Sequence, residues 1–289
     1  MNKIIYRRND YIHKYQNMSI TFSTCWYNFK AKFTSSVYEN WMHNMLSTVN
    51  NYNLVVYTDW DGYNTIQKYL HSKIKVVIKP YESFHTFPYE QTWIQNQSKN
   101  ILLKDRVDWR VNMLWSEKIA FVKETIEKKY FETEYYGWCD IGYFRGRQND
   151  LRTDLLVNWP SHDKVSALNK DKIHYAMVNN NTQQIDHLFR LINRKNNHGL
   201  PMEEIPMNQV SVAGGFFILH KDRIDWWHTT YYTKLKLYFE QNRLVKDDQI
   251  VIIDCILSDI NKFCLWRETD PRYDNWFLFS CCLVLGEYG

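Results

Sequence analysis

Glycine, proline and long apolar runs are scarce in this chain of 289 residues. It has 9 glycines and 6 prolines, too few for a low-complexity or disordered polypeptide, and apolar residues make up 45%. The longest apolar stretch, 276–286, is too short to cross a bilayer. Residues 1–17 lack the apolar core of a signal peptide. We therefore expect a globular, cytoplasmic protein without a transmembrane segment.

Zinc motifs and blocks of like charge are also lacking. The six cysteines form no Cys-x-x-Cys pair and several lie in apolar runs, which indicates reduced, buried thiols rather than a zinc site or a disulfide framework. The net charge of +4 is spread along the chain, without the basic patch of a nucleic-acid-binding protein. A mildly basic chain suits an anionic ligand such as a nucleotide diphosphate. Aromatic residues, at 17%, supply core packing and faces for sugars or bases.

The first apolar segments alternate between strand and helix patterns. Strands are predicted at 19–26, 54–59 and 74–78, and helices at 33–49 and 64–70, the second capped by Asn64. This β-α-β-α-β order with near-continuous apolar strands predicts a parallel sheet with both faces covered.

The alternation continues after a segment, 81–112, that shows few regular patterns. Further helices are predicted at 112–130, 185–193, 222–241 and 250–260, and further strands at 138–142, 172–178, 211–219, 263–266 and 276–285. We expect one α/β domain with a mostly parallel, Rossmann-like central sheet flanked by helices. A smaller mixed sheet is expected to close one edge.

Asp140 is the one acidic residue in the apolar pentapeptide WCDIG (138–142). A carboxylate at the end of a buried strand is costly unless a cation, a metal or hydrogen-bond donors meet it. Ligands of open α/β sheets bind outside the carboxyl ends of strands, so Asp140 indicates a ligand site. A turn-forming aspartate before Gly142 is the alternative.

Three further features each allow two interpretations. Lys118 lies beside the apolar stripe of its predicted helix, where it either extends to water or meets an anion. Gly214 and Gly215 interrupt a predicted strand, which marks a bulge or the close approach of a ligand. Asp247 and Asp248 stand at a predicted helix start, where acidic residues serve as caps or as catalytic groups.

Four segments, taken in order, resemble the HtrL/YibB-like family of GT-A-type glycosyltransferases from bacteria and giant viruses. They are LVVYTD (54–59), LWSEKIAFVKE (114–124), YGWCDIGYFR (136–145) and VAGGFFIL (212–219) with KDDQIVII (246–253). The order and spacing, over about residues 19–260, carry the resemblance. It implies a single GT-A-like domain over 1–289, with an N-terminal arm (1–18), a nucleotide-sugar-binding half (19–145) and an acceptor-side half (146–289).

The resemblance implies transfer of a sugar from a nucleotide-sugar donor, a UDP- or GDP-sugar, to a carbohydrate hydroxyl in glycan or polysaccharide assembly. A viral member would act in the host cytoplasm. A catalytically inactive carbohydrate- or nucleotide-binding protein on the same fold is the alternative. A nucleotidyltransferase is disfavoured because residues 19–33 contain no glycine for a phosphate loop.

The resemblance also implies roles for individual residues. The expected donor-binding residues are Thr24, Cys25, Thr58, Asp59, Trp115, Lys118, Asp140, Gly142 and Arg145. The expected acceptor-binding residues are Gly214, Gly215, Gln249 and Trp266. Asp248, or else Asp247, would act as the catalytic base of an inverting enzyme, and Asp140 would act on the leaving group. A retaining mechanism needs no such base, and the sequence does not decide the stereochemistry.

The typical Asp-x-Asp motif of GT-A enzymes is Asp140-Ile141-Gly142 here. A Mn²⁺ or Mg²⁺ ion would have Asp140 as its one side-chain ligand and would recruit substrate phosphates. Alternatively, Arg145 or Lys118 neutralises the departing diphosphate. The sequence leaves metal dependence and oligomeric state open.

Overall fold

A seven-stranded sheet forms the centre of the structure, a computed structural model that describes residues 20–147 and 151–284. Its strands are β1 (Ile20–Trp26), β2 (Tyr52–Thr58), β3 (Ile74–Ile78), β4 (Tyr135–Cys139), β5 (Ile173–Ala176), β6 (Phe216–His220) and β7 (Phe263–Trp266). They are ordered β3-β2-β1-β4-β6-β5-β7. Of these strands, β6 alone runs antiparallel to its neighbours. The predicted mostly parallel α/β sheet is therefore confirmed.

The smaller separate sheet expected at one edge is not found in the described residues. β6 pairs with β4 from Tyr135 opposite His220 to Cys139 opposite Phe216. β5 and β7 then extend the same edge. The expectation of a second sheet was wrong because this antiparallel pairing joins the two halves of the chain into one sheet.

Ten helices connect or follow the strands within the described residues. They are α1 (Ser35–Leu46), α2 (Trp60–Ile66), α3 (Glu90–Lys99), α4 (Trp109–Trp115), α5 (Lys118–Glu127), α6 (His162–Ser166), α7 (Thr182–Asn193), α8 (Ile224–Glu240), α9 (Asp248–Ser258) and α10 (Leu278–Cys282). None of the helices described is long and apolar enough to span a membrane. The predicted arm (1–18), Ser19 of the first strand and Leu285 of the last lie outside the described residues.

Both faces of the sheet are apolar, because alternate residues of a strand point to opposite sides. In β2, Val55 and Tyr57 belong to one buried core cluster, while Leu54 and Val56 belong to the other. All four side chains are fully buried. Helices α5, α8 and α9 contribute to the first cluster, and α1 and α10 contribute to the second.

The helices differ most from the sequence prediction in three places. α2 begins earlier than predicted, because Asp59 rather than Asn64 caps it by accepting a hydrogen bond from the Gly62 backbone N–H at 2.8 Å. The segment 81–112 contains α3 and the start of α4. The one helix predicted over 112–130 is instead α4 and α5, so Lys118 is the first residue of α5.

Two predicted strands were also partly wrong. Residues 276–285 form no strand over their described part: a single 3₁₀ turn, Asn275–Phe277, leads into α10, and Asp274 accepts a hydrogen bond from the Trp276 backbone N–H at 2.9 Å. Gly214 and Gly215 precede β6 rather than interrupting it.

Candidate active site

Polar groups gather where the carboxyl end of β4 meets the start of β6. Asp140 directly follows β4, and Gly214 and Gly215 directly precede β6. Because these strands are antiparallel, the end of one lies beside the start of the other, and the Asp140 backbone N–H donates to the Gly215 carbonyl at 2.9 Å. The pairing of β4 with β6 thus places the aspartate beside the two glycines.

The ammonium group of Lys118 joins three parts of the chain. Its Nζ donates to the Gly214 carbonyl oxygen at 2.8 Å and lies 3.0 Å from Oδ2 of Asp248 and 3.3 Å from Oδ1 of Asp140. The Lys118 side chain is 7% exposed and that of Asp248 is 4% exposed, whereas that of Asp140 is 40% exposed. We call these three charged residues the Lys118 cluster. Lys118 therefore meets anionic groups and does not extend to water.

Lys118 remains charged although it is buried. Burial lowers the pKa of a lysine, but the two carboxylates of the cluster outweigh burial and raise the pKa of Lys118 above its usual value. A buried ammonium with this pKa is a fixed positive charge at the bottom of the site.

Glu117 fixes the start of α5, directly before Lys118. Its Oε2 accepts from the His85 backbone N–H at 2.8 Å, and its Oε1 accepts from the backbone N–H and hydroxyl of Thr86 at 2.7 and 2.6 Å. Burial raises the pKa of Glu117 to about 7, although these hydrogen bonds oppose the shift. The anchor holds the first turn of α5 in one position, which in turn positions Lys118.

Asp140 is oriented by its own strand. Trp138 and Asp140 are two residues apart and therefore lie on the same side of the chain. The Trp138 indole Nε1 donates to Oδ1 of Asp140. Nζ of Lys118 also lies 6.0 Å from the Trp138 ring centre. The partners that a carboxylate needs at the end of a buried strand are thus an indole N–H and an ammonium group.

The two aspartates at the start of α9 have different surroundings. Asp247 holds the N-cap position without a side-chain capping hydrogen bond, so the capping interpretation does not account for it. Its Oδ2 lies 2.9 Å from Nζ of Lys246, while Oδ1 is buried without a hydrogen-bond partner among the described residues. Asp248 faces Lys118. Burial raises the pKa of Asp248 to about 6, and the charge of Lys118 opposes that rise.

The two glycines before β6 leave room for the carboxylates. A Cβ atom on Gly214 would lie 2.9 Å from Oδ2 of Asp248, and one on Gly215 would lie 3.0 Å from Oδ2 of Asp140. Separations of about 3 Å are well inside ordinary carbon–oxygen packing distances. The close-approach interpretation of the glycines therefore holds, with the protein's own carboxylates as the approaching groups.

Two adjoining hollows open above the Lys118 cluster, and together we call them the cleft. Lys118, Asp140, Trp115, Gly142 and Arg145 line both hollows. The aromatic hollow encloses about 770 Å³ and the charged hollow about 1050 Å³, each including its open mouth. Further lining residues of the aromatic hollow include Cys25, Trp26, Tyr27, Phe29, Leu114 and Trp138. Those of the charged hollow include Lys32, Arg147, Gly214, Gly215, Asp247, Asp248, Gln249 and Trp276.

Arg145 forms one side of the cleft. Its guanidinium carbon lies 4.2 Å from the ring centre of Trp41 and 4.7 Å from that of Phe277, and its Nε donates to the Gly142 carbonyl at 3.1 Å. Trp41 packs directly on Gly142, where a Cβ atom would lie 2.8 Å from the indole ring. Arg145 is thus held between aromatic faces beside the position that Asp140 marks.

Four of the predicted site residues do not line the cleft. Asp59 caps α2, and the Thr58 hydroxyl donates to a backbone carbonyl of β1 at 2.6 Å. The Trp266 indole donates to Nδ1 of His174 at 3.0 Å, away from the cluster. Thr24 is fully buried inside β1. Thr58 and Asp59, at the end of β2, satisfy backbone groups of the chain itself, whereas the buried Thr24 hydroxyl has no hydrogen-bond partner among the described residues.

Other lining residues were not singled out from the sequence. Lys32, Phe33, Tyr38 and Arg147 line the charged hollow. Nζ of Lys32 lies 4.7 Å from the ring centre of Trp115. Lys32 and Phe33 belong to NFKAKF (28–33), which follows the carboxyl end of β1. A segment of mixed basic and aromatic residues after the carboxyl end of a strand could have indicated from the sequence that these residues line the cleft.

A divalent ion shared by the two carboxylates does not fit the cluster. The ammonium group of Lys118 already lies within 3.3 Å of both Asp140 and Asp248. Oδ1 of Asp140 accepts from Trp138, and Oδ2 is the oxygen that faces Gly215. Across residues 20–147 and 151–284, no group of three or more His, Cys, Asp and Glu side chains is arranged to hold a metal ion. Mg²⁺ is usually bound by one or two carboxylates together with waters and substrate phosphates, so an ion here would have Asp140 alone as its side-chain ligand.

No protein-family model matches this chain, and no curated protein matches it. The resemblance to the HtrL/YibB-like glycosyltransferases therefore rests on the four sequence segments. The function has to be argued from the chemistry of the cleft.

Proposed function

We propose that the protein is a glycosyltransferase that moves a sugar from a nucleotide-sugar donor to a hydroxyl group of a carbohydrate acceptor. The observation that carries the proposal is the Lys118 ammonium group held between Asp140 and Asp248, where β4 ends. Ligands of open α/β sheets bind at this edge. Glycosyl transfer uses a cation beside the departing diphosphate and a carboxylate beside the acceptor hydroxyl. The cluster offers both within a few ångströms.

The aromatic hollow suits the nucleoside of the donor. Tyr27 and Phe29 stack on each other with ring centres 5.5 Å apart, and Cys25 and Trp138 complete the wall. Nucleobases bind well to such aromatic faces. A nucleoside there would direct its diphosphate towards Lys118, which lines both hollows. UDP- and GDP-sugars are the proposed donors.

The charged hollow suits the acceptor. Gly214 and Gly215 present backbone rather than side chains, so a sugar can lie close to the chain. Gln249 and Asp248 border the same hollow and supply hydrogen-bonding groups, and Trp276 supplies an aromatic face. An acceptor hydroxyl in this hollow would lie on the Asp248 side of the cluster.

Asp248 is the proposed base, and the step is then a direct displacement. The acceptor oxygen attacks the anomeric carbon, and a new carbon–oxygen bond forms as the bond from that carbon to the diphosphate oxygen breaks. The electron pair of the broken bond leaves with the diphosphate, whose charge Lys118 and Arg145 neutralise. The hydroxyl proton passes to Asp248. Displacement from the opposite face inverts the anomeric centre, so the proposal includes an inverting outcome.

A non-catalytic carbohydrate- or nucleotide-binding protein is the second candidate. The favouring observation is that Lys118 pairs with Asp248 at 3.0 Å, because a nearby cation weakens a carboxylate as a base. Formation of a glycosylated product separates the two candidates.

The test is an assay with a panel of nucleotide sugars and mixed oligosaccharide acceptors. Its two readouts are the release of nucleoside diphosphate and the mass of the acceptor, measured by mass spectrometry. One nucleotide family should support transfer. Asp140→Asn should reduce transfer at least about a hundredfold, the loss typical of removing one electrostatic contact in an active site. Its melting temperature should stay close to that of the wild type.

Asp186→Asn is the matched control, because Asp186 is exposed on α7, outside the cleft. It should transfer at the wild-type rate. Binding of a nucleotide or a sugar without any transfer would favour the second candidate. Wild-type transfer by Asp140→Asn would contradict the assignment of the site.

A further inference from the structure

The Lys118 cluster has a cation of its own. Nζ of Lys118 has three acceptors within 3.3 Å, namely the Gly214 carbonyl oxygen, Oδ2 of Asp248 and Oδ1 of Asp140. The contact to Gly214 is a hydrogen bond and the two contacts to carboxylates are ion pairs, and Oδ2 of Asp248 has no hydrogen-bond partner among the described residues. The group that meets both carboxylates in this site is therefore part of the chain itself.

The position of this cation is fixed by structure around it. Lys118 begins α5, whose preceding residue, Glu117, accepts three hydrogen bonds from the segment 85–86. The Gly214 carbonyl oxygen holds the ammonium group from the opposite side. The neighbouring carboxylates also favour the charged form of Lys118, because they raise its pKa.

The side chains that line the charged hollow carry a small excess of positive charge without an added ion. Four cationic side chains and three carboxylates line the charged hollow: Lys32, Lys118, Arg145 and Arg147 against Asp140, Asp247 and Asp248. A diphosphate that enters this hollow meets a wall with a small excess of positive charge. Preorganised cationic groups of this kind stabilise a departing diphosphate without reorganisation.

We propose that the ammonium group of Lys118, rather than a divalent metal ion, neutralises the diphosphate of the donor, so that donor binding is independent of metal. This inference rests on the proposed nucleotide-sugar donor. In it, Asp140 pairs with Lys118 and does not serve as a metal ligand. The diphosphate takes up a contact to Lys118 from the open side of the cleft, where both hollows meet.

The test is isothermal titration calorimetry of wild-type protein with UDP, GDP, CDP, dTDP and ADP, once with EDTA and once with Mn²⁺. The dissociation constant of the preferred nucleotide should differ by less than about threefold between the two conditions, because a metal-dependent site would lose a major part of its binding free energy. Binding that appears with Mn²⁺ and vanishes with EDTA would overturn the inference and leave the proposed function standing. Failure of every nucleotide under both conditions would overturn both.

Variants of Lys118 provide a second arm. Lys118→Met keeps the apolar stem and removes the charge, and it should weaken nucleotide binding by at least about tenfold, as expected for losing one charge-assisted hydrogen bond. Lys118→Arg keeps the charge and should bind more tightly than Lys118→Met. Lys236→Met is the matched control, because Lys236 is an exposed lysine of α8 outside the cleft. If Lys118→Met does not fold, the EDTA comparison on wild-type protein still decides the question. Unchanged affinity in folded Lys118→Met would overturn the inference.

Discussion

Nε1 of Trp138 lies 2.5 Å from Oδ1 of Asp140, so the strand that ends at the carboxylate of the candidate site also sets its direction. The two residues share one side of the chain, and the indole ring is itself almost completely buried. A rigid, buried donor leaves the carboxylate few alternative orientations. The indole thus acts on the proposed reaction by positioning Asp140.

Replacement of Trp138 by phenylalanine tests this positioning role. Trp138→Phe keeps an aromatic ring and removes the N–H that Asp140 accepts. Transfer should fall by about ten- to a hundredfold, the equivalent of one hydrogen bond to a charged group. The measurement is kcat/KM for transfer together with a thermal melt.

Trp227→Phe is the control for Trp138→Phe. Trp227 is fully buried and donates to the Tyr175 hydroxyl at 3.3 Å, away from the cleft. This variant should lose stability but keep its kcat/KM. Equal losses of activity in both variants would show that packing, and not the orientation of Asp140, explains the effect.

Replacement of the proposed base should separate the two aspartates at the start of α9. Asp248→Asn should reduce kcat by about 10² to 10⁴, the usual contribution of a general base. Asp247→Asn should reduce it much less, because Asp247 forms its ion pair with Lys246, whereas Asp248 forms its ion pair with Lys118. Steady-state kinetics of the two variants check this expectation. A larger loss in Asp247→Asn would transfer the role of base to Asp247.

The pH dependence of transfer should report the same carboxyl group. Burial raises the pKa of Asp248 to about 6, so the base is protonated and inactive below that pH and deprotonated above it. The rate should therefore rise with pH through about 6 and level off, and Asp248→Asn should lack this rise. A rate that falls as pH increases through this region would contradict the role of Asp248 as a base.

The same shift predicts how Asp248 affects stability. Its pKa in the folded protein lies above the ordinary value of 3.8, so the folded state binds more protons than the unfolded state between pH 3.8 and about 6. The contribution of Asp248 to the free energy of unfolding is therefore present below pH 3.8 and decreases as pH rises through about 6. Denaturant melts of wild type and Asp248→Asn across this range measure the difference.

A methyl group at Gly214 should disturb the cluster directly. The Cβ atom of Gly214→Ala would lie 2.9 Å from Oδ2 and 3.0 Å from Oδ1 of Asp248, so the carboxylate or the backbone must move. Displacement of a catalytic group by about 1 Å can cost about a hundredfold in rate, and we expect a loss of that order. The assay is transfer at saturating donor.

Gly199→Ala provides a control for stability alone. Gly199 has φ +81° with open space around its Cβ position, so alanine there is strained by about 1 kcal/mol without a clash. It should lower the melting temperature and preserve transfer. If Gly199→Ala lost as much activity as Gly214→Ala, the effect of Gly214→Ala would be attributed to general destabilisation.

Much of the sheet was predictable because its strands carry strong local patterns. LVVYTD (54–59) combines β-branched residues with a polar end, and its core residues are fully buried in β2. The strand prediction for residues 276–285 was wrong because a short apolar run fits a helix as well as a strand. The side on which such a segment packs, here as α10, depends on contacts distant in sequence.

The candidate site was predictable only in part for a similar reason. Asp140 was identifiable because an acidic residue inside an apolar strand needs partners. The partners of Asp140 could not be identified from the sequence, since the approach of Asp248 to Lys118 depends on the docking of α9. Thr58 and Asp59 do not line the cleft, because a polar strand end serves a backbone group or a helix cap as readily as a ligand.

The contacts of Lys118 also determine when, during synthesis of the chain, the candidate site can be completed. As the chain leaves the ribosome, Lys118 and Asp140 emerge well before Gly214 and Asp248. The ammonium group therefore lacks two of its three contacts until those residues have been synthesised. Until α9 docks, this end of the sheet lacks the proposed base, Asp248. A nascent chain of about 240 residues therefore cannot yet carry out the proposed reaction. Activity would therefore report that α9, one of the later helices to be synthesised, has docked on the sheet.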